Sequence, residues 1–348
     1  MHVQQHRSAP RRRRVAVAVA AVVLAGGCAA PDAAAIRAVP LDIPVLAPID
    51  SWVIQLQGID PATSPTALTR RAVDMVVLEP MRSQQGEGDF PMRDLVRRVQ
   101  ASAGATLPGK RCIAYLNIGQ AEDYRTYWGS DWRAPTASQH GEPAFLLGLD
   151  PDGWQGNYPV AYWQPAWRAC LFGRADAPLD QILADGFDGI YVDWVLGCLD
   201  PSVRAAAAAA GVDAEVEMVR LLGDLRRYAR ERYPLFVVIA QNAVALAERH
   251  PELLDQIDAL AQEDLSFRGL ASAGWNDPGA GDVAAAADGP WSTAELGARL
   301  AAVRARGLPV FTLDYALLAE NRAKAIATSR AFGCVPCVSR TPLDRLPD

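Results

Sequence analysis

Short apolar segments recur along the chain, and longer stretches with apolar residues at helical spacing separate them. Near-continuous apolar segments are typical of strands in a parallel sheet that is covered on both faces. Eight segments fit this description, at residues 52–57, 75–79, 112–117, 189–193, 235–240, 257–263, 309–314 and 334–339. The helical pattern falls between them, at residues 95–102, 179–184, 213–231, 243–254 and 293–306. The pattern therefore predicts repeated strand–helix units.

Eight such units predict an α/β fold with a single (β/α)8 TIM-like barrel over residues 49–348. A doubly wound open sheet is the alternative architecture for alternating strands and helices. No glycine-rich phosphate loop follows any of the eight segments, and this disfavours the open sheet. We therefore expect one barrel domain.

The segment after the third strand, residues 118–178, is too long for a simple connection and is rich in aromatic residues. It contains Tyr124, Tyr127, Trp128, Trp132, Trp154, Tyr158, Tyr162, Trp163 and Trp167. We expect an aromatic-rich insertion that leaves the third strand at the C-terminal face of the barrel, where active sites lie. Its rings could stack on sugars, with Tyr162 and Trp163 as candidate contacts, or they could form a small core of their own.

Residues 1–27 predict a signal peptide that is not part of the fold. Five arginines lie within residues 7–14, and an apolar run over residues 15–25 follows that is too short to span a bilayer. The small residues before Cys28 resemble a bacterial lipoprotein signal, which implies lipidation of Cys28. Residues 28–48 predict an Ala/Pro-rich tether. We expect an exported lipoprotein, periplasmic or at the cell surface; the alternative is a secreted protein in which Cys28 is incidental.

The charge balance narrows the range of partners. The chain has 348 residues with 34 Lys+Arg and 40 Asp+Glu, and removal of the signal peptide leaves 29 basic and 40 acidic side chains, a net charge of −11. Nucleic-acid binding depends on basic surfaces and is therefore excluded as a function. A neutral or cationic ligand is compatible with this charge. Membrane attachment rests on the lipid alone, and we expect a monomer without a cofactor.

Five cysteines lie in the predicted domain, and an exported protein can join such residues in disulfides. Cys170 and Cys198 fall in or beside loops and are the candidate pair. Cys112, Cys334 and Cys337 fall on predicted strands, where a cysteine usually serves as a small buried apolar side chain.

Polar side chains end almost every predicted strand. They are Gln55, Gln57, Glu79, Glu122, Asp123, Asp193, Gln241, Asn242, Glu263, Asp264, Asp314 and Tyr315. Carboxylates gathered above one barrel are costly, because burial and like-charge repulsion raise their pKa values. Glycoside hydrolysis needs such a set, with one carboxyl that protonates the leaving oxygen and one that attacks carbon or activates water. Any single strand-end acid could instead cap the helix that follows.

Other chemistries fit the residues less well. His140 and His250 are the only histidines after the signal peptide, and neither directly follows a strand. No Gly-x-Ser-x-Gly nucleophile motif and no phosphate loop occur. A metal site made of acids alone stays open as an alternative, with Mg²⁺ or Ca²⁺ held by Asp193, Glu263 and Asp314.

Motifs at the strand ends occur in a recognisable order. They are Trp52-Val-Ile-Gln-Leu-Gln-Gly58, Ala114-Tyr-Leu-Asn-Ile-Gly-Gln-Ala-Glu122, Trp154-Gln-Gly-Asn-Tyr-Pro-Val-Ala-Tyr-Trp163, Gly186-Phe-Asp-Gly-Ile-Tyr-Val-Asp193, Gln241-Asn242, Gln262-Glu263, Leu313-Asp-Tyr315 and Cys334-Val-Pro-Cys-Val-Ser-Arg-Thr-Pro-Leu-Asp344. Together they resemble glycoside hydrolase family 114, the endo-α-1,4-polygalactosaminidase-like barrels, over about residues 50–346.

The resemblance implies a TIM-like barrel with a retaining mechanism. By position, Asp193 resembles the nucleophile and Glu263 the general acid/base, so Asp193 must be ionised and Glu263 must have a raised pKa. A retaining pair lies about 5–5.5 Å apart. The candidate substrate-binding residues are Gln55, Glu79, Tyr115, Gln120, Glu122, Tyr162, Trp163, Gln241, Asn242, Asp314 and Tyr315. The family's substrate is a partly deacetylated galactosamine polymer, whose ammonium groups suit an acidic protein.

The sequence departs from the family pattern at three places. Gln120 stands where a glutamate is usual, and Glu79 stands where an aspartate is usual. Leu265-Ser-Phe267 follows the sixth strand, where aromatic residues are common. These departures leave the proposed pair intact and leave the exact sugar open. The rival hypothesis from another class is a non-catalytic carbohydrate-binding lipoprotein on the same barrel.

Overall fold

The computed structural model describes residue 46 and residues 48–347. The strands are β1 (Trp52–Gln55), β2 (Met75–Leu78), β3 (Arg111–Asn117), β4 (Gln120–Glu122), β5 (Asn157–Pro159), β6 (Gly189–Asp193), β7 (Val237–Gln241), β8 (Ala259–Glu263), β9 (Phe267–Arg268), β10 (Val283–Ala284), β11 (Val310–Tyr315) and β12 (Val335–Ser339). The predicted signal peptide, Cys28 and nearly all of the predicted tether lie outside the described residues.

Helices lie between the strands. They are α1 (Ser64–Arg70), α2 (Met92–Gln100), α3 (Pro165–Leu171), α4 (Pro178–Asp185), α5 (Pro201–Ala210), α6 (Ala214–Arg230), α7 (Val244–Arg249), α8 (Thr293–Ala305) and α9 (Ala319–Ala331). Short 3-10 turns lie at Met81–Ser83, Val195–Leu199, Pro251–Asp255 and Pro278–Ala280. No described helix is both long and apolar enough to cross a membrane.

The eight predicted strands form one parallel sheet in the order β1-β2-β3-β6-β7-β8-β11-β12. The order follows the chain without a reversal, whereas a doubly wound sheet reverses at a switch point. Trp52 Nε1 donates to the Val335 carbonyl oxygen at 3.0 Å and so joins the first strand to the last. The sheet is nearly closed into a barrel, which confirms the predicted (β/α)8 fold class.

Four helices, α1, α3, α5 and α9, were not predicted from the pattern. Helix α5 is mostly alanine, so it has few large apolar residues to mark a buried face. The helix predicted over residues 243–254 is shorter than expected: α7 ends at Arg249, and a 3-10 turn begins at Pro251. Pro251 cannot extend α7, because proline has no backbone N–H to donate to the carbonyl oxygen four residues earlier.

Side chains alternate between the barrel interior and the layer under the helices, as the two-residue period of a strand requires. Trp52, Val77, Tyr191 and Phe311 belong to the inner cluster of buried residues. Their immediate neighbours, such as Val76, pack outward against the helices. The strand residue that reaches the C-terminal face on the inward side is therefore the one that can meet a ligand.

Aspartates fix the opposite, N-terminal face of the barrel. Asp74, Asp188 and Asp258 each come directly before a strand, namely β2, β6 and β8. Asp188 Oδ2 accepts from Cys112 N at 2.8 Å, and Asp258 Oδ2 accepts from Val238 N at 2.9 Å. These two carboxylates satisfy strand N–H groups, whereas Asp74 accepts from the loop N–H groups of Thr106 at 2.7 Å and Leu107 at 3.1 Å.

Most of the aromatic rings after β3 pack against one another and join the buried layer under the helices. Trp132 lies 5.1 Å from Trp128 and 5.3 Å from Phe145 between ring centroids, and Tyr127 lies 5.4 Å from Trp167. The hairpin of β4 and β5 borders this cluster. Of the two interpretations of the segment, internal packing describes most of its rings.

The predicted disulfide between Cys170 and Cys198 is not present, and both thiols are free and buried. Cys170 lies in α3, where its Sγ is 3.3 Å from the Ala166 carbonyl oxygen. Cys198 lies in the 3-10 turn after β6. Burial raises the pKa of Cys170 to about 11 and that of Cys198 to about 12. Both residues act as small core side chains, as do the other three cysteines of the barrel.

Candidate active site

A cavity of about 890 Å³ opens at the C-terminal ends of the barrel strands. This is the size of a small-molecule or cofactor site and the position at which barrel enzymes act. Its lining carboxylates are Glu79, Glu122, Asp152, Asp193, Asp200 and Glu263. Among the described residues that line it there is no Lys, Arg or His. The cavity is therefore strongly electronegative.

Asp193 is the last residue of β6 and faces the cavity. Its Oδ2 accepts from the Tyr115 hydroxyl on the neighbouring strand β3 at 2.6 Å, and its Oδ1 accepts from the Trp194 N–H at 2.6 Å. Burial raises the pKa of Asp193 to about 6, although these two hydrogen bonds favour the ionised form. Asp193 is thus held in one orientation and is largely ionised at neutral pH.

Glu263 is the last residue of β8, two strands away in the sheet. Its Oε2 accepts from Gln241 Nε2 at 2.7 Å and from Asn242 Nδ2 at 3.4 Å, and its Oε1 accepts from the Tyr315 hydroxyl. Burial and, less strongly, the charge of Asp193 raise the pKa of Glu263 to about 7. Both carboxyls therefore have a raised pKa, and burial is the main cause for each.

Three adjacent strands of the barrel end in a left-handed backbone turn. Trp194, Asn242 and Asp264 directly follow β6, β7 and β8 and have φ values of 61°, 55° and 58°. Each such residue costs about 1–3 kcal/mol and persists only where its surroundings hold it. Asn242 Oδ1 accepts from the Glu263 N–H at 2.8 Å and from Gln262 Nε2 at 3.0 Å. The strained turns and their hydrogen bonds fix the ends of the strands that carry the two carboxyls.

Glu79 and Glu122 share one buried arginine beside the cavity. Arg125 donates to both oxygens of Glu79, to Glu122 Oε2 at 2.6 Å and to Ser83 Oγ at 2.7 Å. The Tyr124 hydroxyl donates to the other oxygen of Glu122 at 2.6 Å. Burial raises the pKa of Glu79 above its usual value, and the charge of the Arg125 guanidinium opposes that rise.

Nine of the residues predicted for the site line the cavity together. They are Glu79, Tyr115, Gln120, Glu122, Asp193, Gln241, Asn242, Glu263 and Tyr315. Their roles in catalysis and binding stay predictions, because the geometry shows only that they share one cavity. Gln120 stands where the family usually has a glutamate, and its side-chain amide donates from Nε2 to Asp150 Oδ2 at the edge of the cavity.

Two strand-end residues were wrongly predicted to face the site. The Gln55 side chain donates to the carbonyl oxygens of Gln57 at 3.1 Å and Asp344 at 3.3 Å. Asp314 Oδ1 accepts from the backbone N–H groups of Ser266 at 2.6 Å and Phe267 at 2.9 Å. Both side chains lie one position away from the inward-facing residues of their strands, so they stabilise loops and do not line the cavity.

The two aromatic candidates were also wrong. Tyr162 is fully buried and donates to the Ala214 carbonyl oxygen at 2.5 Å. Trp163 packs edge-on against Tyr162, with ring centroids 5.3 Å apart. The rings of the segment that do line the cavity are Tyr124 and Trp154, each 38% exposed.

The alternative metal site does not assemble. Asp314 is turned away from Asp193 and Glu263 by its bonds to the loop after β8. Over the part of the chain that the structure describes, no three His, Cys, Asp or Glu side chains converge in a way that could hold a metal ion.

Several residues of the cavity were missed because they belong to loops. Arg125 lies behind the cavity wall and has a signal in the sequence, since it follows Glu122 by three residues and a buried glutamate needs a cation. Asp152 and Asp200 come from connections whose path the pattern does not predict. Leu343 lines the cavity from the C-terminal segment, where its carbonyl oxygen accepts from the Leu56 N–H at 2.9 Å.

A (β/α)8 barrel with two carboxyls of raised pKa in an acidic cavity at its C-terminal face is the arrangement that barrel glycoside hydrolases use. Comparison with known proteins gives the family. The chain belongs to glycoside hydrolase family GH114, whose model matches residues 37–346. An uncharacterised protein of Deinococcus radiodurans is 33% identical over 310 residues, which cover 88% of this chain and 85% of that protein.

Two solved structures share the fold. The glycoside hydrolase domain of PelA from Pseudomonas aeruginosa has a TM-score of 0.56 at 19% identity, with 86% of this chain and 97% of that chain covered. Ega3 of Aspergillus fumigatus, in a complex with galactosamine, has a TM-score of 0.57 at 14% identity, with 86% and 96% covered. At these identities the likeness establishes the barrel architecture.

Proposed function

We propose that this glycoside hydrolase retains anomeric configuration and cleaves within an α-linked amino-sugar polysaccharide, with Asp193 as nucleophile and Glu263 as acid/base. The observation that carries the proposal is the placement of these two carboxyls in one cavity with pKa values of about 6 and about 7. At a pH between these values, the protonation state that the first step requires is populated, with Asp193 ionised and Glu263 protonated.

In the first step, an ionised oxygen of Asp193 attacks the anomeric carbon while Glu263 gives its proton to the glycosidic oxygen, which leaves with the bonding electron pair. A covalent glycosyl–enzyme ester forms. In the second step, Glu263 takes a proton from water, the water oxygen attacks the anomeric carbon, and Asp193 leaves as a carboxylate. Two inversions at the same carbon give net retention.

The neighbouring tyrosines would orient this pair. The Tyr115 hydroxyl fixes Asp193 Oδ2 and the Trp194 N–H fixes Oδ1, and each oxygen keeps a further lone pair for attack on the anomeric carbon. The Tyr315 hydroxyl and the Gln241 amide hold the Glu263 carboxyl and stabilise its ionised form between the two steps. These residues position the carboxyls without reacting.

The charge of the cavity supports a cationic sugar. Six acidic side chains line it, and even with Arg125 paired to Glu79 and Glu122 and with Glu263 protonated the site keeps a negative charge. An ammonium group on the sugar would be attracted there, whereas an acetylated nitrogen would be neutral. Tyr124 and Trp154 offer ring faces for sugar C–H groups. The likeness to endo-α-1,4-polygalactosaminidases and the galactosamine bound to Ega3 point to galactosamine polymers and to cleavage inside the chain.

We also propose that the enzyme is exported and held at a membrane by a lipid on Cys28, as the N-terminal sequence predicts. This would place the cavity on the side of the membrane where extracellular polysaccharides occur. Metabolic labelling of the full chain with a fatty-acid probe tests it, with Cys28→Ala as the control that loses the label.

The test of the activity uses wild type, Asp193→Asn and Glu263→Gln, with the exposed-surface variant Asp94→Asn as a matched control. Each is incubated with partly deacetylated poly-α-1,4-galactosamine, and products are followed by mass spectrometry and by NMR of the first-formed anomer. We expect oligosaccharides of retained α configuration from wild type and Asp94→Asn, and a loss of several orders of magnitude in both site variants.

Three results would each overturn a part of the proposal. Equal cleavage by Asp193→Asn and wild type would remove Asp193 as nucleophile. Binding of the polymer without cleavage by any of the proteins would favour the carbohydrate-binding alternative. A first-formed β anomer would replace the retaining mechanism by an inverting one on the same carboxyls.

A further inference from the structure

Tyr191 has an unusual environment in the barrel interior. It lies on β6, two residues before Asp193, so both side chains point to the same side of the sheet. Its ring stacks on Trp52 with centroids 6.1 Å apart. The side chain is fully buried, and its hydroxyl has no hydrogen-bond partner among the described residues.

The other buried tyrosine hydroxyls near the barrel are partnered. Tyr115 donates to Asp193, Tyr315 donates to Glu263, and Tyr162 donates to a backbone carbonyl. A buried hydroxyl without a partner loses its bonds to water and gains nothing in return. Phenylalanine would fill the same space without that cost. The hydroxyl of Tyr191 is therefore a polar group that the fold does not use.

Its surroundings suggest a use in the reaction. The groups whose charges act on Tyr191 are Glu263 first, then Asp193 and the Cys337 thiol. Together with burial they raise the pKa of Tyr191 well above its usual value, so the hydroxyl keeps its proton. A protonated hydroxyl in the field of two carboxyls can only stabilise them by donating a hydrogen bond.

Glu263 is the acceptor of the two whose charge changes during the proposed reaction. Each oxygen of Asp193 accepts one hydrogen bond, and Asp193 is already ionised when the first step begins. On Glu263, Oε2 accepts from Gln241 and Asn242, whereas Oε1 accepts from Tyr315 alone. A carboxylate oxygen has room for a second donor. Glu263 also changes charge twice per turnover in the proposed mechanism, so its need for donors rises once it has lost its proton.

We infer that Tyr191 is a positioning residue whose hydroxyl donates to Glu263 when that carboxyl is ionised, between the two steps of the reaction. The inference rests on the proposed two-carboxylate function. The hydroxyl moves no proton of its own. It stabilises the carboxylate that must next accept a proton from water.

The test compares Tyr191→Phe with Tyr162→Phe, since both residues are fully buried and both changes delete one oxygen. Tyr162 donates to a carbonyl away from the cavity, so its variant should lose thermal stability and keep its activity. Tyr191→Phe should keep or gain thermal stability and lose about tenfold in kcat, the scale of one hydrogen bond to a charged group. The alkaline limb of its pH–rate profile should move to higher pH, because Glu263 loses a donor to its ionised form.

The outcomes separate this inference from the proposed function. If wild type cleaves the galactosamine polymer, Asp193→Asn does not, and Tyr191→Phe matches wild type in kcat and pH profile, only the role of Tyr191 is wrong. A fall in kcat with lower thermal stability and an unmoved alkaline limb would make Tyr191 structural and would also overturn the inference. Cleavage that is unaffected by Asp193→Asn would overturn the proposed function itself.

Discussion

Replacement of Arg125 by methionine should destabilise the barrel strongly, because it leaves two buried carboxylates without their cation. Arg125 is 1% exposed, and Glu79 and Glu122 are each 2% exposed. Methionine fills much of the same space but offers no donor. Removal of one partner from a buried ion pair costs about 3–5 kcal/mol, since the remaining charge stays in a medium of low dielectric constant. That is a large share of the roughly 5–15 kcal/mol that stabilises a domain.

The loss should depend on pH with a defined sign. Without Arg125, the folded-state pKa of Glu79 lies above its unfolded value of about 4.3, because burial raises it and the lowering influence is gone. A carboxyl with a raised folded-state pKa lowers the free energy of unfolding as pH rises from its unfolded-state pKa to its folded-state pKa. Below the unfolded-state pKa it has no such effect, because it is protonated in both states. The variant should therefore recover part of its stability as pH falls from about 7.5 to about 5.

Urea unfolding followed by tryptophan fluorescence measures both effects. Arg97→Met is the matched control, because Arg97 pairs with Asp94 on an exposed helix surface and should cost less than about 1 kcal/mol. The double variant Arg125→Met with Glu79→Gln should regain part of the loss. A loss no larger than that of Arg97→Met, or one that is equal at both pH values, would refute the reasoning.

Two further predictions concern activity. The pH profile of kcat/KM should be bell-shaped and narrow, because activity rises as Asp193 loses its proton at a pKa of about 6 and falls as Glu263 loses its proton at about 7; a flat profile across this range would contradict the assignment. Trp154→Ala should raise KM for the polymer with little change in thermal stability, since this ring is 38% exposed and lines the cavity. Trp132→Ala should do the reverse, because its ring packs in the aromatic cluster; similar effects of the two changes would contradict this division.

The fold was predictable because a parallel barrel imposes a strong pattern on the sequence. Its strands are buried on both faces, so each is a nearly continuous apolar run that stands out from the helices. The helices are less evident where alanine replaces larger apolar residues, as in α5, or where no marked apolar face exists. The aromatic segment after β3 was visible as a composition, but its packing was not, because rings suit both a core and a sugar.

The loop contributions to the site could not be derived from the sequence. Asp152 and Asp200 reach the cavity through connections whose path depends on the finished barrel. Trp194 adopts a left-handed backbone conformation that few bulky residues adopt, and no local sequence signal announces it. Gly119 lies against this turn: a Cβ there would come 2.5 Å from the Trp194 carbonyl oxygen, so only glycine allows the close approach.

The errors at the strand ends have a simpler cause, and the sequence contains its remedy. The acids that reach the cavity from the barrel strands lie two positions after an inward-facing residue of the same strand. Glu79 follows Val77 in this way, Asp193 follows Tyr191, and Glu263 follows Ala261. Gln55 and Asp314 directly follow the inward-facing residues Ile54 and Leu313, so their side chains point outward and bond to loops. Position at a strand end therefore selects candidates, and the two-residue period decides which of them can touch a substrate. The same period places Tyr191 below Asp193 on the inward side of β6, so its hydroxyl can act on the proposed catalytic pair, whereas that of Tyr162 is bonded to a backbone carbonyl oxygen.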